Sequence, residues 1–527
     1  MPVSREVEGV SQSAVRRANA APDEGASLAS RGVPVKAALA VLGTASDVGK
    51  SVVTAGLCRL LADAGVDVVP FKAQNMANQA GVTRDGLEMP RAQILQAQAA
   101  RKEAHVDMGP ILLKPVTHTG AQVIVLGKVM GHVEAAQYFD DTSELATIAE
   151  GALRRLADRH DVVVLEGAGS PVEINLWPRD FVNLRPARVV NASLILVADI
   201  DRGGVFAQVK GTLDLLPTDD RCRVLGIIVN RFRGDPALFE DGVSMLEALT
   251  GLPVLAVVPY LDHGLDEEDR PLPIPVNARA PADMLRVGAV LSPSVSNTED
   301  LAPLLAEADV HLSWITDPRL VPEQDLLILP ASKATVADVV HHTVSGVSRA
   351  VCEAHREGSW VLGLCGGYQM LGEQLDDRGG TEGGPKSWPG LGLLPIGTVF
   401  EPEKQTQQRH CVSAWPVLGR SLVGYEIHHG RSRAMGGGEP LLLGAGAEMG
   451  WRHGRALGCY LHGLLADDEW RGAFLNVVRK DRGRPLQPVR LGDSLDLRID
   501  RWAQHLRRSF RGNAWSRLLS TVQDTLP

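Results

Sequence analysis

The chain has 527 residues, more than one ordinary domain holds, so its length alone indicates about two to four domains. Apolar residues make up 44%, enough for each domain to bury a core, and the formal net charge of −9 argues against the basic faces of nucleic-acid or anionic-membrane binding proteins. No apolar run approaches the roughly 18 residues of a membrane span, and the N-terminus lacks the apolar core of a signal peptide. The six cysteines show neither paired nor metal-binding spacing. We therefore expect a cytoplasmic protein with no nucleic-acid and no membrane partner.

Residues 1–35 are predicted to be a flexible tail. Residues 1–32 contain no Phe, Trp, Tyr or Ile. Such a segment cannot bury enough apolar surface to offset the entropy lost on ordering.

Residues 36–262 are predicted to form one α/β domain with a doubly wound parallel sheet. Short, continuously apolar runs alternate there with segments of helical periodicity such as Ser51–Ala64 and Leu145–Asp158. Runs of this kind are typical of strands that are covered by helices on both faces. The expected strands are Ala38–Leu42, Val66–Pro70, Val162–Leu165, Leu194–Ala198, Leu225–Val229 and Val254–Val258.

The segment Gly43–Ser51 lies between the first strand and the first helix and has the pattern of a phosphate-binding loop. Its backbone N–H groups would hold phosphate oxygens, Lys50 would reach the β- and γ-phosphates, and Ser51 would bind Mg²⁺. The usual GxxxxGK[ST] pattern has glycine where this chain has Thr44, whereas Gly49 is retained. The alternative is a chance Gly-Lys-Ser. This variant resembles the dethiobiotin-synthetase-like branch of phosphate-loop ATPases, which phosphorylate carboxyl groups.

A second magnesium ligand is expected at the end of a neighbouring strand. Glu166 follows four apolar residues and precedes Gly-Ala-Gly, which allows close approach of a ligand. The alternative is an ordinary turn carboxylate. Asp85 and Glu88 are further candidates for a metal ligand, and Asn230 lies where this branch of ATPases places an adenine-contacting Asn.

A linker is predicted over residues 263–284, which are rich in Pro and acidic residues, followed by a second α/β domain over residues 285–480. The expected strands of the second domain include Val287–Leu291, Leu326–Leu329 and Trp360–Leu364. Residues 481–527 are predicted to be a helical extension. Its apolar stripe would pack against a domain or a partner subunit and consists of Ile499, Trp502, Leu506 and Phe510.

The sequence Gly-Leu-Cys365-Gly-Gly has the pattern of a nucleophile turn between a strand and a helix, expected over Tyr368–Leu375. Small neighbours force a sharp turn that exposes the cysteine at a helix N-terminus, where the helix dipole favours a thiolate. Cys365 is therefore predicted to attack the carboxamide of glutamine. The alternative is a buried structural cysteine.

His462 ends an apolar strand and is predicted to act as the general base and acid for Cys365. Ordinary glutaminase triads have a Glu two residues after this His, but Leu464 stands there. The sequence therefore predicts a Cys–His dyad, or an orienting group from elsewhere. Glu426 is a candidate for that group or for the glutamine pocket, and Leu329–Lys333 could lend a backbone N–H to an oxyanion hole.

Together these motifs resemble the cobyric acid synthases, the glutamine-hydrolysing amidotransferases of cobalamin biosynthesis. The resemblance covers roughly residues 36–480 and includes two strings that a generic phosphate-loop ATPase would not need, Lys72–Met76 and Asp199–Phe206. It also rests on Gly43–Ser51, Pro110–Pro115, Glu166–Gly169, Asn230–Phe232, Leu329–Thr335, Gly363–Gly367, Gly424–Ser432 and Tyr460–Gly463.

The resemblance implies a dethiobiotin-synthetase-like domain joined to a class I glutamine amidotransferase-like domain. It also implies ATP- and Mg²⁺-dependent amidation of carboxylates b, d, e and g of adenosylcobyrinic acid a,c-diamide, through an acyl phosphate and ammonia from glutamine. The implied partners are the corrinoid and glutamine, and a homo-oligomer is left open. Absence of the triad Glu is in keeping with this family.

Three alternatives remain at this point. A cobyrinic acid a,c-diamide synthase joins the same two modules, but Lys72–Met76 argues against it. A cell-wall amidotransferase generally divides the two activities between chains. An ATP-dependent partitioning protein would need no cysteine turn.

Overall fold

A computed structural model describes residues 37–115, 120–134, 142–265, 272–382, 386–444 and 447–524. The predicted tail and part of the predicted linker lie outside the described residues. The chain divides into two compact units. The first unit holds the described residues of Met1–Ala77, Met89–Arg270 and Ser494–Pro527, and the second holds those of Asn78–Glu88 and Pro271–Asp493.

The first unit is built on a parallel sheet of six strands. The strands up to residue 260 are β1 (Ala37–Gly43), β2 (Val68–Phe71), β3 (Gln74–Met76), β4 (Ala80–Val82), β5 (Glu88–Pro90), β6 (Ile111–Pro115), β7 (Gly120–Val125), β8 (Lys128–Glu134), β9 (Val162–Glu166), β10 (Ser193–Asp199), β11 (Val224–Phe232) and β12 (Val254–Pro259). The sheet has the order β12-β11-β10-β1-β9-β2, and a smaller sheet has the order β3-β6-β7-β8. The central strand β1 pairs in parallel with β9 and with β10. Buried Val, Leu and Ala occupy both faces of these strands, as continuous apolar runs predict.

Helices cover this sheet. The helices of the same stretch are α1 (Lys50–Asp63), α2 (Arg91–Ala99), α3 (Ser143–Arg159), α4 (Leu184–Val189), α5 (Val205–Leu215), α6 (Thr218–Arg221) and α7 (Glu240–Thr250). None of the described helices has both the length and the apolar composition needed to cross a membrane.

The second unit contains another largely parallel sheet. Its strands are β13 (Leu285–Val290), β14 (Val310–Ile315), β15 (Leu326–Leu329), β16 (Trp360–Leu364), β17 (Gln374–Asp377), β18 (Lys386–Pro389), β19 (Ile396–Ser413), β20 (Ser421–Ala434), β21 (Glu439–Pro440), β22 (Leu442–Gly444), β23 (Ala447–Glu448), β24 (Trp451–His453) and β25 (Ala456–Cys459). Its helices are α8 (Ala302–Leu305), α9 (Thr335–Val344), α10 (Val347–Arg356), α11 (Gly366–Met370) and α12 (Asp468–Asp481). The main sheet has the order β14-β13-β15-β16-β25-β24-β21, and the long hairpin β19–β20 belongs to a second sheet.

Two C-terminal helices, α13 (Leu495–Ser509) and α14 (Ala514–Gln523), return to the first unit. The predicted apolar stripe is buried there against α1, and the indole Nε1 of Trp502 donates to the Val52 carbonyl at 2.6 Å. Packing of this stripe against a domain is therefore confirmed.

The predicted strands agree with the observed ones to within about three residues, as boundaries read from sequence usually do. The helix predicted over Tyr368–Leu375 is wrong in its end, because α11 stops at Met370. Gly372 follows, and a Cβ there would lie 2.7 Å from the Ile396 carbonyl oxygen, so this position favours glycine and close backbone contact over helix.

The compact units differ from the predicted domain ranges in two places. Residues 78–88 belong to the second unit although they precede most of the first, and residues 494–527 belong to the first. The boundary near Arg270 falls inside the predicted linker.

Candidate active sites

The phosphate-binding loop connects β1 to α1 in the first unit. Gly49 has φ 90°, a left-handed conformation that favours glycine, and a Cβ there would collide with the Asn230 side chain. The Lys50 Nζ donates to the carbonyl oxygens of Ala45 at 2.9 Å and Gly169 at 3.0 Å. The lysine therefore curls over the loop toward the residues that follow β9, where phosphate oxygens could replace these carbonyls.

Thr44 and Asn230 hold the loop from its two sides. The Thr44 N–H donates to the Val197 carbonyl at 2.9 Å, and its hydroxyl donates to the Gln208 amide oxygen at 3.2 Å. The buried Asn230 amide donates to the Val48 carbonyl at 2.9 Å. The structure thus places both residues at the loop, with Asn230 bracing its backbone. The adenine contact of Asn230 stays a prediction.

Glu166 and Ser51 are brought together, as predicted for magnesium ligands. The parallel register pairs Val41 with Glu166, so this carboxylate lies beside the phosphate loop, with its Oε1 accepting from the Ser51 hydroxyl at 2.7 Å. Lys72 and Gln96 also donate to Glu166, the former at 2.9 Å. Burial acts to raise the pKa of Glu166, but the Lys72 charge and these hydrogen bonds outweigh it and hold the pKa below its usual value. Glu166 is therefore an ionised carboxylate.

The other two metal candidates have partners within the second unit. Glu88 belongs to this unit, where its Oε2 forms an ion pair of 2.7 Å with Lys404. The Asp85 carboxylate accepts from the Thr83 hydroxyl at 2.6 Å within the same segment. A metal role for either residue stays a prediction.

Sequence reasoning missed the charged residues that secure the phosphate loop. The Arg231 guanidinium donates to the Asp47 carbonyl at 2.6 Å and to the Asp199 carboxylate at 3.0 Å. Asp199 ends β10 and pairs in register with Asn230 on β11. The resemblance already singled out the segment Asp199–Phe206. Asp199 and Arg231 lie at the ends of adjacent strands, and this position could have suggested that they contact the phosphate loop.

Cys365 forms a strained turn between β16 and α11 in the second unit. Its φ is 50°, unusual for a residue other than glycine. The flanking glycines permit this turn, because a Cβ on Gly366 would lie 2.8 Å from the Ser332 N atom and one on Gly363 would lie 2.7 Å from the Gly367 carbonyl oxygen. The predicted nucleophile turn is therefore present.

The topology of the sheet brings His462 to Cys365. β16 and β25 are adjacent and parallel, with Leu364 opposite Cys459, so the residues that follow both strands meet at one edge. The Cys365 N–H donates to the Cys459 carbonyl at 2.9 Å, the Cys365 thiol donates to the Ile427 carbonyl at 3.5 Å, and the nearby Cys365 side chain acts to raise the pKa of His462.

Asp300 orients the His462 imidazole. Its Oδ2 lies 2.7 Å from His462 Nδ1, and its Oδ1 accepts from the Gly463 N–H at 2.8 Å. Burial acts to lower the pKa of His462, but the charge and hydrogen bond of Asp300, together with Cys365, raise it well above its usual value. Of the two alternatives that the sequence left open, a dyad or an orienting group from elsewhere, the geometry favours the second, with Asp300 as that group.

Asp300 was missed because no fixed spacing connects it to His462, which lies 162 positions later. It belongs to a short polar stretch, Thr298–Leu301, after β13. Asn297 precedes this stretch with φ 47°, and its amide donates to the Tyr425 hydroxyl at 3.0 Å and to the Ala80 carbonyl at 3.1 Å. Since the Tyr425 ring stacks on the His462 ring, the same network fixes both the carboxylate and the imidazole.

Glu426 does not orient His462. Its carboxylate accepts from the Arg409 guanidinium at 2.7 Å and lies 3.8 Å from His428. Leu464 is 1% exposed and packs in the core of the unit, so a Glu at this position would bury a charge rather than complete a triad.

The Leu329–Lys333 segment lies directly beside the cysteine turn. Ser332 is the nearest backbone neighbour of Gly366, and its hydroxyl donates to the Asp338 carboxylate at 2.6 Å. The segment is therefore placed where an oxyanion hole requires donors, and that role stays a prediction.

Both halves of the chain match models of known domains. Residues 39–273 match the CobQ/CobB/MinD/ParA nucleotide binding domain, and residues 286–470 match the CobB/CobQ-like glutamine amidotransferase domain. Together with the two sites, these matches define a glutamine-dependent ligase of α/β fold with a nucleotide-binding domain, which confirms the predicted fold class and type of enzyme.

Similar proteins show which family of glutamine-dependent ligases the chain belongs to. The chain is 47% identical to a cobyric acid synthase of Chlorobaculum tepidum over 457 residues, which cover 84% of this chain and 90% of the relative. It is 44% identical to one of Chlorobium phaeobacteroides DSM 266, covering 90% and 96%, and 42% identical to one of Geobacillus thermodenitrificans, covering 88% and 95%. The chain belongs to the cobyric acid synthase family.

The role of Asp300 predicts a specific loss in Asp300→Asn. We expect glutamine hydrolysis to fall by about 10²–10⁴-fold, because the amide no longer stabilises the imidazolium. Without the carboxylate the pKa of His462 falls, because burial still acts to lower it. The imidazolium is then lost at lower pH, so the alkaline limb of the pH–rate profile should move to lower pH. Glutamate release across pH measures both effects.

Glu357→Gln, which alters an exposed carboxylate of the same unit, is the control and should leave rate and profile unchanged. An Asp300→Asn variant with a normal alkaline limb would show that another group holds His462.

Proposed function

We propose that this chain uses ATP and glutamine to amidate carboxylates b, d, e and g of adenosylcobyrinic acid a,c-diamide, giving adenosylcobyric acid. The observation that carries the proposal is the presence in one chain of a Cys365–His462–Asp300 arrangement and a phosphate loop with an ionised Glu166. Membership of the cobyric acid synthase family supports this substrate over cobyrinic acid itself.

The second unit would release ammonia from glutamine. Cys365 Sγ attacks the carboxamide carbon, and His462 delivers a proton to the departing ammonia. Water then attacks the thioester, with His462 as base, and glutamate leaves. Asp300 keeps the imidazole ring in one orientation throughout, and the backbone near Ser332 would hold the oxyanion.

The first unit would activate the acceptor carboxylate. Lys50 and the N–H groups from Thr44 to Gly49 bind phosphates of ATP, and the acceptor carboxylate attacks the γ-phosphorus to form an acyl phosphate, which ammonia displaces. Asn230 keeps the loop in its binding conformation and, in this proposal, contacts the adenine.

Mg²⁺ fits beside Ser51 and Glu166. The Ser51 hydroxyl and the ionised carboxylate stand 2.7 Å apart, and oxygen atoms are the ligands that Mg²⁺ takes. When bound, Mg²⁺ would neutralise charge on the phosphates. Lys72 keeps the buried Glu166 carboxylate ionised. A metal role of Glu88 stays a prediction, and its carboxylate is already neutralised by Lys404.

The proposal also covers the two domain ranges, the location of the protein and its partners. The ATP-dependent amidoligase is assigned to residues 36–262, the glutaminase to residues 285–480, and the protein to the cytoplasm. Its partners are the corrinoid and glutamine, with a homo-oligomer left open.

Because glutamine hydrolysis and carboxylate activation are assigned to different units, we expect Cys365→Ser to abolish glutamine-dependent amidation yet retain amidation with ammonium salt. The serine variant cannot form the thioester, whereas the phosphate site is formed by other residues. His462→Ala should behave likewise. Amide formation is measured with each nitrogen source in turn.

Cys352→Ser, which changes a partly buried cysteine on α10, is the control and should retain both activities. A Cys365→Ser variant that ammonium fails to rescue would contradict the assignment.

The metal and phosphate site predicts that Glu166→Gln loses amidation from both nitrogen sources. Removal of one electrostatic partner of the transferring phosphoryl group should lower the rate by about 10²–10³-fold. Resting glutamine hydrolysis, measured on the same sample, should persist and shows that the second unit is folded.

Glu144→Gln, an exposed carboxylate on α3, serves as the control. Near-normal ammonia-dependent turnover by Glu166→Gln would transfer the metal role to Asp85 or Glu88.

The substrate is tested by product mass. Four carboxylates spread around one corrinoid cannot reach a single phosphoryl group from one pose, so partly amidated products must leave or turn within the site. Mass spectra during turnover of the a,c-diamide should therefore show species with one, two and three added amides before the fourth. A reaction that stops after one amidation, or that amidates cobyrinic acid at positions a and c, would refute the assignment.

A further inference from the structure

The loop 170–180, which follows Glu166, exposes three large apolar side chains in close succession. Ile174 is 54% exposed, Leu176 39% and Trp177 37%. Single exposed apolar residues are ordinary on protein surfaces, but a cluster of them in one short loop marks a surface that binds something apolar.

This loop is folded on itself rather than left loose. The Trp177 Nε1 donates to the Pro171 carbonyl at 2.9 Å, closing the loop across its width. Successive turns add backbone bonds from Ile174 to Val172 and from Leu176 to Glu173, each 2.8 Å. The apolar side chains are therefore held outward in a fixed conformation, which reduces the entropy that a ligand must remove on binding.

The loop begins at the phosphate site. The Gly169 carbonyl accepts from the Lys50 Nζ at 3.0 Å, and Glu166 accepts from Ser51. An acceptor carboxylate must approach the γ-phosphate to within about 3–3.5 Å to react. The body of the acceptor molecule therefore has to lie over the residues that surround this point, and the loop 170–180 continues directly from one of them, Gly169.

We propose that the loop 170–180 is the surface on which the corrin ring binds, with Ile174, Leu176 and Trp177 packing against it. The inference rests on the proposed function and names the part of the site that receives its substrate. A corrin is a broad macrocycle with methyl groups on its edge and faces, so apolar side chains and an indole match its chemistry.

Charged side chains beside Trp177 suit the periphery of the same ligand. A shallow cavity next to the indole is lined by Asp180, Leu184, Arg185 and Arg188, among others. Arg185 and Arg188 are paired with Glu150 and Asp220, but about half of each side chain remains exposed. Their exposed N–H groups donate hydrogen bonds, so they can hold the peripheral carboxylates that await amidation.

An exposed apolar surface also explains how one site serves four carboxylates. Apolar contact is non-directional, so it holds the ring without fixing its rotation. A corrinoid bound in this way can present different edges to the same γ-phosphate after each amidation.

The test compares Ile174→Ser/Leu176→Ser and Trp177→Ala with the wild-type protein. Binding of adenosylcobyrinic acid a,c-diamide is measured by equilibrium dialysis, using the corrin absorbance, and the KM for corrinoid by ammonia-dependent amidation. We expect both constants to rise at least about tenfold in the variants. The KM for ATP and resting glutamine hydrolysis should stay unchanged, which shows that the variants fold.

Met245→Ser, which changes an exposed apolar residue on α7 of the same unit, is the matched control and should bind the corrinoid normally. Unchanged corrinoid binding in the loop variants would overturn the inference. If the variants changed only the sedimentation of the protein, the surface would instead be a contact with a second copy of this chain, and the inference would also be overturned. Failure of the wild-type protein to bind or amidate the corrinoid would instead reject the proposed function.

Discussion

Both candidate sites depend on one constraint, the register of adjacent parallel strands. Pairing of Val41 with Glu166 sets the carboxylate beside the loop that continues from β1, and pairing of Leu364 with Cys459 sets His462 beside the turn that continues from β16. In a parallel sheet the carboxyl ends of all strands lie at the same edge. Residues that are distant in sequence therefore meet there. A shift of one residue in either pair would turn side chains to the opposite face.

Each site also contains a buried charge that tolerates burial because of its partners. Glu166 is 2% exposed and is held by Lys72, Ser51 and Gln96, whereas His462 is 1% exposed and is held by Asp300. Buried ion pairs add little net stability because desolvation opposes their attraction. Their effect here is on protonation, since they keep Glu166 anionic and His462 cationic. These partners therefore set the charge of the two reactive side chains more than they stabilise the fold.

The sequence was sufficient to locate residues whose position follows from local spacing. Lys50 and Ser51 stand in a loop between strand and helix, and Cys365 stands in a glycine-flanked turn, so their patterns are short and continuous. Asp300 and Arg231 were not predicted, because their contacts arise only when separate strands assemble. Glu88 lies within the nucleotide-binding half of the sequence but belongs to the second unit, and its metal role stays a prediction. The resemblance to a family supplied the substrate, which no local pattern contains.

The glutaminase unit of this chain is more than its second half. Residues 78–88 belong to it, and two of their contacts are with residues of the later part of the unit. The Ala80 carbonyl accepts from Asn297, which adjoins the Asp300 stretch, and Glu88 neutralises Lys404 on the long hairpin. Residues 285–480 alone would lack both Ala80 and Glu88. Loss of a partner costs a buried polar group its full desolvation penalty. The glutaminase unit therefore depends on a segment that lies within the nucleotide-binding half of the sequence.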